Sequence, residues 1–394
     1  MNIRQAIHQS ISDCFIIWRQ ELTNIRRDIA VVLMFIGVPL LYPLLYGSIY
    51  NTETIRDVPL VVVDESHSAL AREFVRRIGA TAEVQIVAYA PSLRQARDVT
   101  DRKEAYGILQ IPADFSAKIH RDEQAVVALY IDMSGLLFYK AILLATTEAS
   151  LDMRRTIRVQ PHDAPLATEA VALYNPHGGF ASFLLPAILI LVIQQSLLLG
   201  IGILAATTRE RNRRRLIPVA MRHIYTRTFR IVFGKTMAYL ALYTFVCFWT
   251  LVIVPYLFRI PQLTNYSTLL LFLLPYLLAA TFFAMFLSTF IRGRETPMML
   301  LVFTSLIFLF LSGVSWPLAA MPDAWRYIGY LIPSTFGIQG FVKINTMSAE
   351  LWEVAFEYRN LWLQAGIYFT LTALMYYREL LKVKREELNV KRDA

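Results

Sequence analysis

Residues 180–215 read FASFLLPAILILVIQQSLLLGIGILAATTRERNRRR. The 29 residues from Phe180 to Thr208 carry no charged side chain. At about 1.5 Å per helical residue they are long enough to cross a hydrocarbon core of about 30 Å. The sequence then turns basic at once, with five arginines between positions 209 and 215. Lys and Arg beside a span end are retained in the cytoplasm, so one stretch sets both a span and its orientation.

Five further apolar stretches flank it: Ile29–Tyr50, Thr236–Phe258, Ser267–Ile291, Pro297–Trp316 and the shorter Leu361–Tyr377, bracketed by Arg359 and Arg378. The expected architecture is an α-helical polytopic membrane protein of six spans, both ends cytoplasmic, with an α/β domain inserted outside the cytoplasm. Its segments are a helix at 1–28, a span at 29–50, the domain at 51–179, a span at 180–208 and a cytoplasmic loop at 209–235. Spans three to five follow at 236–316, then an outer hairpin and loop at 317–360, a last span at 361–377 and a tail at 378–394. Composition agrees, since 56% hydrophobic and 18% charged residues over 394 positions do not describe a soluble chain of this size.

The net charge of +9 would raise nucleic-acid binding on a soluble protein. Here it is distributed by side. The loop Arg209–Lys235 holds nine Lys or Arg against the single Glu210, whereas 51–179 holds 14 basic and 17 acidic residues. Retention of positive charge inside accounts for the balance without nucleic acid.

Before the first span, Ile3, Ile7, Ile11, Phe15, Trp18 and Leu22 recur every three or four residues. That spacing predicts an amphipathic helix, lying on the inner membrane surface or packed against the bundle. The run after it is full-length, which reads as a retained signal-anchor. Cys14 and Cys247 leave 51–179 without cysteine, so that segment folds without disulfides.

Within 51–179, β-rich runs at Pro59–Val63, Val84–Ala88, Gly107–Ile111 and Val126–Ile131 alternate with helical patterns at Ser68–Ile78, Leu93–Asp101 and Leu136–Arg158. This predicts a small α/β sandwich.

No span contains Asp, Glu, Lys, Arg or His by these boundaries, which disfavours transport driven by an ion gradient. Gly234-Lys235-Thr236 matches the tail of a phosphate-binding loop, but Phe229 stands where the first glycine is required and no strand precedes it. The six histidines form no metal-binding spacing. Asp64, Ser66 and His67 are close in sequence at a strand-to-helix turn, where a helix cap by Ser66 or Ser68 explains them better than catalysis.

Two segments remain distinctive. Arg209–Lys235 interleaves arginines with apolar residues and is broken by Pro218, predicting a short surface helix, a turn and a second segment. After the fifth span, Gly313, Pro317, Pro322 and Pro333 punctuate an apolar stretch that never becomes clearly polar. Unpaired backbone cannot lie in lipid, so this predicts a re-entrant helical hairpin packed on protein.

The pattern resembles the type 2 ABC-transporter permease family, in its branch with a large extracytoplasmic domain between spans one and two. The residues carrying the resemblance are Ser312-Gly313 to Pro317, Met321-Pro322, Pro333 and Ile338-Gln339-Gly340 before the last span. Glu210, Pro218 and Gly234-Lys235 resemble marks of the family's cytoplasmic loop. The family's usual Gly-Thr is absent there, and Arg213-Arg214-Arg215 occupies the region. In the outer domain, Val61-Val62-Val63-Asp64 and Ile111-Pro112-Ala113-Asp114-Phe115-Ser116 add to the likeness.

The resemblance implies a permease half in a bacterial inner membrane, paired with a second copy or a paralogue. Separate ATPase subunits would dock on a loop that includes Glu210, Arg213, Arg214, Arg215, Pro218, Arg222, Gly234 and Lys235. ATP and Mg would bind those subunits, and no cofactor this chain. Gln194, Gln195, Ser312, Ser315 and Trp316 are candidates for pathway or dimer contacts, interhelical hydrogen bonding being the plainer role. Uncharged spans fit a hydrophobic or amphipathic cargo, such as a drug, a lipid or a lipid-linked molecule, with the outer domain as a dock for a periplasmic adaptor. The competing reading is a receptor or scaffold that displays the α/β domain and uses the spans as anchors.

Overall fold

A computed structural model describes residues 3–50, 55–121, 123–132, 136–157, 180–212, 215–217, 228–260 and 262–393. The chain divides into two compact units, one formed by Met1–Asn51 with Phe180–Ala394 and the other by Thr52–Gly179.

The first unit opens with α1 (Ile3–Arg27). Asp28 ends it and caps α2 (Ile29–Val32), its carboxylate accepting from Ala30 N at 3.2 Å. A π-helical turn at Leu33–Gly37 leads into α3 (Val38–Tyr50), which holds Pro43. Proline has no N–H to give the carbonyl four residues back. That carbonyl is Pro39 O, and it accepts instead from the buried Thr250 hydroxyl at 3.3 Å.

The second unit is a four-stranded sheet in the order β2-β1-β3-β4. Along the chain run β1 (Val58–Asp64), α4 (Ala69–Gly79), β2 (Val84–Tyr89), α5 (Leu93–Asp101), β3 (Gly107–Ile111), α6 (Phe115–His120), β4 (Ala128–Ile131) and α7 (Leu136–Ile157). Strand β1 lies parallel to β2 and β3, and β3 antiparallel to β4. Alternation along a strand sends neighbouring side chains to opposite faces. Accordingly Leu60 and Val62 pack with Phe74, Ile78 and Ile142 of α4 and α7. Val61 and Val63 pack with Ala96 of α5 on the other face. The sheet is therefore covered on both faces, which is why β1 is apolar from Val58 to Val63 rather than alternating. The expected fourth strand shortens to Ala128–Ile131, because Val126 is exposed and outside the ladder.

After α8 (Phe180–Arg211), the first unit continues with α9 (Thr228–Phe248), a π turn at Trp249–Ile253, α10 (Val254–Leu257), α11 (Tyr266–Ser288) and α12 (Glu295–Leu311). A 3-10 turn at Leu318–Ala320 precedes α13 (Asp323–Gly329), α14 (Pro333–Met347) and α15 (Ala355–Asp393). Among the described residues, four helical stretches are long and apolar enough to cross a membrane: Ile29–Ile49, Leu184–Arg211, Thr228–Leu257 and Tyr266–Ser288. Helix α12 is a shorter apolar helix, and the expected sixth span lies inside the 39-residue α15. Apolar all round, α8 is buried as such a helix must be, and α3, α11, α12 and α14 pack about it.

Two expected boundaries move. The third span begins at Thr228 rather than Thr236, so Arg230, Gly234 and Lys235 are helical. Helix α12 ends at Leu311 rather than at Trp316, because Gly313 takes φ +88°, a left-handed conformation that glycine adopts without steric cost.

Candidate functional site

At the base of the bundle, α1 lies along α9. Asp13, Ile17 and Glu21 follow one another at four-residue intervals and form one stripe of α1. The facing stripe of α9 is Arg230, Gly234, Lys235 and Tyr239. Gly234 sets the approach, because a Cβ there would stand 2.9 Å from Cys14 O and from Ile17 Cβ. Arg230 pairs with Asp13, Lys235 Nζ lies 2.7 Å from Glu21 Oε1, and the Tyr239 hydroxyl donates to the same carboxylate. Glu21 is 1% exposed, and a charge at that depth is tolerated only when paired and hydrogen-bonded.

Gly234 and Lys235 therefore leave the loop in which the sequence reading put them; both are buried in α9 against α1. Drawing the third span from Thr236 hid this pair, because Lys235 then fell one residue outside it. The packed stripe of α1 is Ile17, Glu21 and Ile25, whereas Ile11 and Phe15 of the expected apolar face are exposed.

A second charged cluster joins three chain segments. Asp28 accepts from the Thr207 hydroxyl of α8 and from Arg294 Nη2, each at 2.9 Å. Arg294 Nε also lies 3.2 Å from Glu210 Oε2, and Arg209 Nη2 donates to Thr289 O at 2.5 Å. Glu210 thus sits in the last turn of α8, half-exposed, tied to the segment before α12. Leu216 and Ile217 beyond it are buried, and Arg215 donates its N–H to Asn212 O at 3.1 Å. Arg213, Arg214, Pro218 and Arg222, with the helix and turn expected there, lie outside the described residues.

The four punctuating residues fall at element breaks, Pro317 and Pro322 exposed, Gly313 half-buried and Pro333 buried. Gly313 makes the turn after α12, Pro317 and Pro322 precede the 3-10 turn and α13, and Pro333 is the first residue of α14. Helix α14 packs against α8 and α11, with Pro333–Ile338 all buried. Gln194 Nε2 donates to Ser334 Oγ at 3.1 Å, joining α8 to α14. The Tyr243 hydroxyl donates to Ser196 Oγ at 2.8 Å and that of Tyr276 to Ile190 O at 2.7 Å. Helix α15 holds the turn before α14, since Gln364 Nε2 donates to Tyr330 O at 2.8 Å and the Tyr368 hydroxyl to Leu331 O at 2.5 Å.

Of the candidate pathway residues, Gln194 and Gln195 are buried side by side in α8. Ser312 is buried too; its carbonyl accepts from Gln339 Nε2 at 3.2 Å. Ser315 and Trp316 are exposed, and Trp316 Nε1 donates to Ala320 O at 3.1 Å. Sequence reading missed Ser334, Thr335 and Gln364, which are ordinary polar residues until folding places them beside α8 and the α14 start.

The Asp64 group is a turn: its Oδ1 accepts from Ser66 N and His67 N, both at 3.0 Å, and Ser68 caps α4 by accepting from Ala71 N at 3.0 Å.

A comparison with curated proteins gives no match. Residues 29–374 match the family described as ABC-2 family transporter protein, a span that takes in both units and leaves out α1. The chain belongs to that ABC-2 transporter family and is the membrane permease subunit of an ABC transporter, whose ATPase is a separate subunit.

Proposed function

We propose that this chain is half of an exporter in a bacterial inner membrane, working as a pair with a second copy or a paralogue. Six spans, both ends in the cytoplasm and residues 51–179 outside it make up the topology. The cargo is hydrophobic or amphipathic, a drug, a lipid or a lipid-linked molecule, and leaves the cell at the expense of ATP hydrolysed by the docked ATPases. The outer domain is the surface for a periplasmic adaptor.

One observation carries this reading. The basic stretch after α8 joins two helices whose near ends are fixed by ion pairs, α8 through Glu210 and Arg294, and α9 through Arg230 and Lys235. An ATPase docked on Glu210, Arg213, Arg214 and Arg215, with Pro218 and Arg222 in the same loop, would act on α8 and α9 through these anchored ends. ATP-driven closure of the ATPases then biases the bundle between two arrangements, one opening outward beside the Gly313–Pro333 hairpin.

The test is reconstitution with the ATPase subunit that co-purifies. The chain alone should hydrolyse no ATP, and the complex should do so with cargo stimulation. Replacing Arg213, Arg214 and Arg215 by Ala should abolish stimulation while α8 and α9 remain folded; unchanged stimulation sinks the docking assignment, and no co-purifying ATPase sinks the exporter.

A further inference from the structure

Helix α14 starts inside the bundle instead of at its edge. The turn before it is held by Gln364 and Tyr368. Pro333 lies roughly 15 Å along α14 from Lys343, which pairs with Glu357 at the start of α15, at about 1.5 Å per residue. Gln194, which donates to Ser334, is about 21 Å along α8 from Phe180 on the same rise. Against a hydrocarbon core of about 30 Å, the first turn of α14 sits near mid-depth.

A helix start leaves N–H groups without intrahelical partners and carries about half a positive charge. Here Pro333 is the first residue, and no side chain at the Ile332 cap bonds to the first turn. Beside that turn, Gln194 Oε1 and Thr335 Oγ1 are buried with no hydrogen-bond partner among the described residues. Buried polar atoms are nearly always satisfied by protein, water or ligand, so orphans beside a helix start point to a polar occupant there. Thr335 N already donates to Ile332 O at 3.1 Å, and the remaining donors suit an anion: the other N–H groups of the turn, the Thr335 hydroxyl, and the amide of Gln194. Serine both donates and accepts, so a half-turn of that amide keeps the Ser334 bond and presents NH2 to the same space.

We infer that the start of α14, with Gln194, Ser334 and Thr335, binds the anionic head group of an amphipathic molecule, a phosphate or a carboxylate. This rests on the transporter reading and specifies its cargo. The polar atoms replace the water that the head group gives up at mid-depth, and the helix end balances its charge without a buried Lys or Arg. Gln194, Ser334 and Thr335 are 1%, 0% and 0% exposed, so the ligand reaches them only when α14 and α8 part.

The experiment measures equilibrium binding to the full-length chain in phosphatidylcholine nanodiscs, using dodecyl phosphate, dodecyl maltoside and inorganic phosphate as probes. Dodecyl phosphate should saturate. Thr335→Val and Gln194→Glu should each weaken it by roughly tenfold or more, the loss expected for one hydrogen bond to a charged group. Thr335→Ser, which keeps the hydroxyl, should bind as the parent does. Dodecyl maltoside should not compete, and inorganic phosphate should compete far less than dodecyl phosphate. Equal competition by inorganic phosphate overturns the amphipath and leaves a free-anion site. Equal binding of dodecyl maltoside, or parental dodecyl phosphate affinity in both Thr335→Val and Gln194→Glu, overturns the site. ATPase stimulation read on the same preparations keeps the two readings apart. No dodecyl phosphate binding to the parent chain with stimulation intact counts against this site alone, whereas binding without any associated ATPase counts against the exporter.

Discussion

Glu21 of α1 and Lys235 of α9 form a buried ion pair at 2.7 Å, with Tyr239 donating to the same carboxylate. Desolvating two charges costs about as much as their attraction returns, so the pair contributes little net stability, whereas breaking it is expensive. Glu21→Gln or Lys235→Met alone should destabilise by about 3–5 kcal/mol, because each leaves one polar or charged partner uncompensated. Glu21→Leu with Lys235→Met should recover most of that loss. Thermal midpoints of the three variants in the same detergent check it; a double variant no better than the worse single would refute the pairing argument.

Gly234→Val should push α1 away from α9. Its Cβ meets backbone at Cys14, which cannot swing aside as a flexible side chain does. Overpacking of this kind costs about 1–3 kcal/mol. The readout is proteolysis, with cleavage within α1 expected to speed up while cleavage in 52–179 stays unchanged.

The proline compensation in α10 admits a reversal test. Pro255 cannot bond the carbonyl of Leu251, and Gln262 Nε2 takes that carbonyl at 3.3 Å. Gln262→Leu should cost about 1–3 kcal/mol by leaving a buried acceptor unpaired. Adding Pro255→Ala restores an N–H and should cancel much of the cost, measured as the shift in unfolding midpoint of the double against each single.

Acid should loosen the 52–179 unit. The Arg77 side chain bonds Glu73 and holds its carboxyl below the ordinary value of 4.5. Folding thus favours the ionised form, so this contribution is complete above 4.5 and is lost as pH falls toward the lowered value. Asp114, bonded by Lys118, is lowered in the same sense. Hydrogen exchange of α4, corrected for intrinsic rates, should accelerate below that pH in the parent and respond less in Glu73→Gln.

Much of the fold was legible because its signals are local. Four candidate spans and the order of strands and helices in 52–179 follow from runs and alternation within windows of a dozen or so residues. Caps such as Ser68 are set by neighbours three residues away. The Glu21–Lys235 pair and the Gln194–Ser334 bond join residues 214 and 140 apart. Nothing in either neighbourhood says which distant helix will face it, and a single residue of boundary error put Lys235 on the wrong side of the line. The positions that depend on such pairing are the ones the sequence left undetermined, while the breaks at Gly313, Pro317, Pro322 and Pro333 were visible because proline and glycine act on their own backbone.

The span of 214 residues between Glu21 and Lys235 also has a meaning in time. During synthesis Glu21 is made first, and at 5–20 residues per second its partner follows roughly 10 to 40 s later. Through that interval the carboxylate has no Lys235 to neutralise it and must stay in water. Burial of Glu21 against α9 therefore follows the synthesis of α9, and the paired α1–α9 face is completed only once the chain between them has been made.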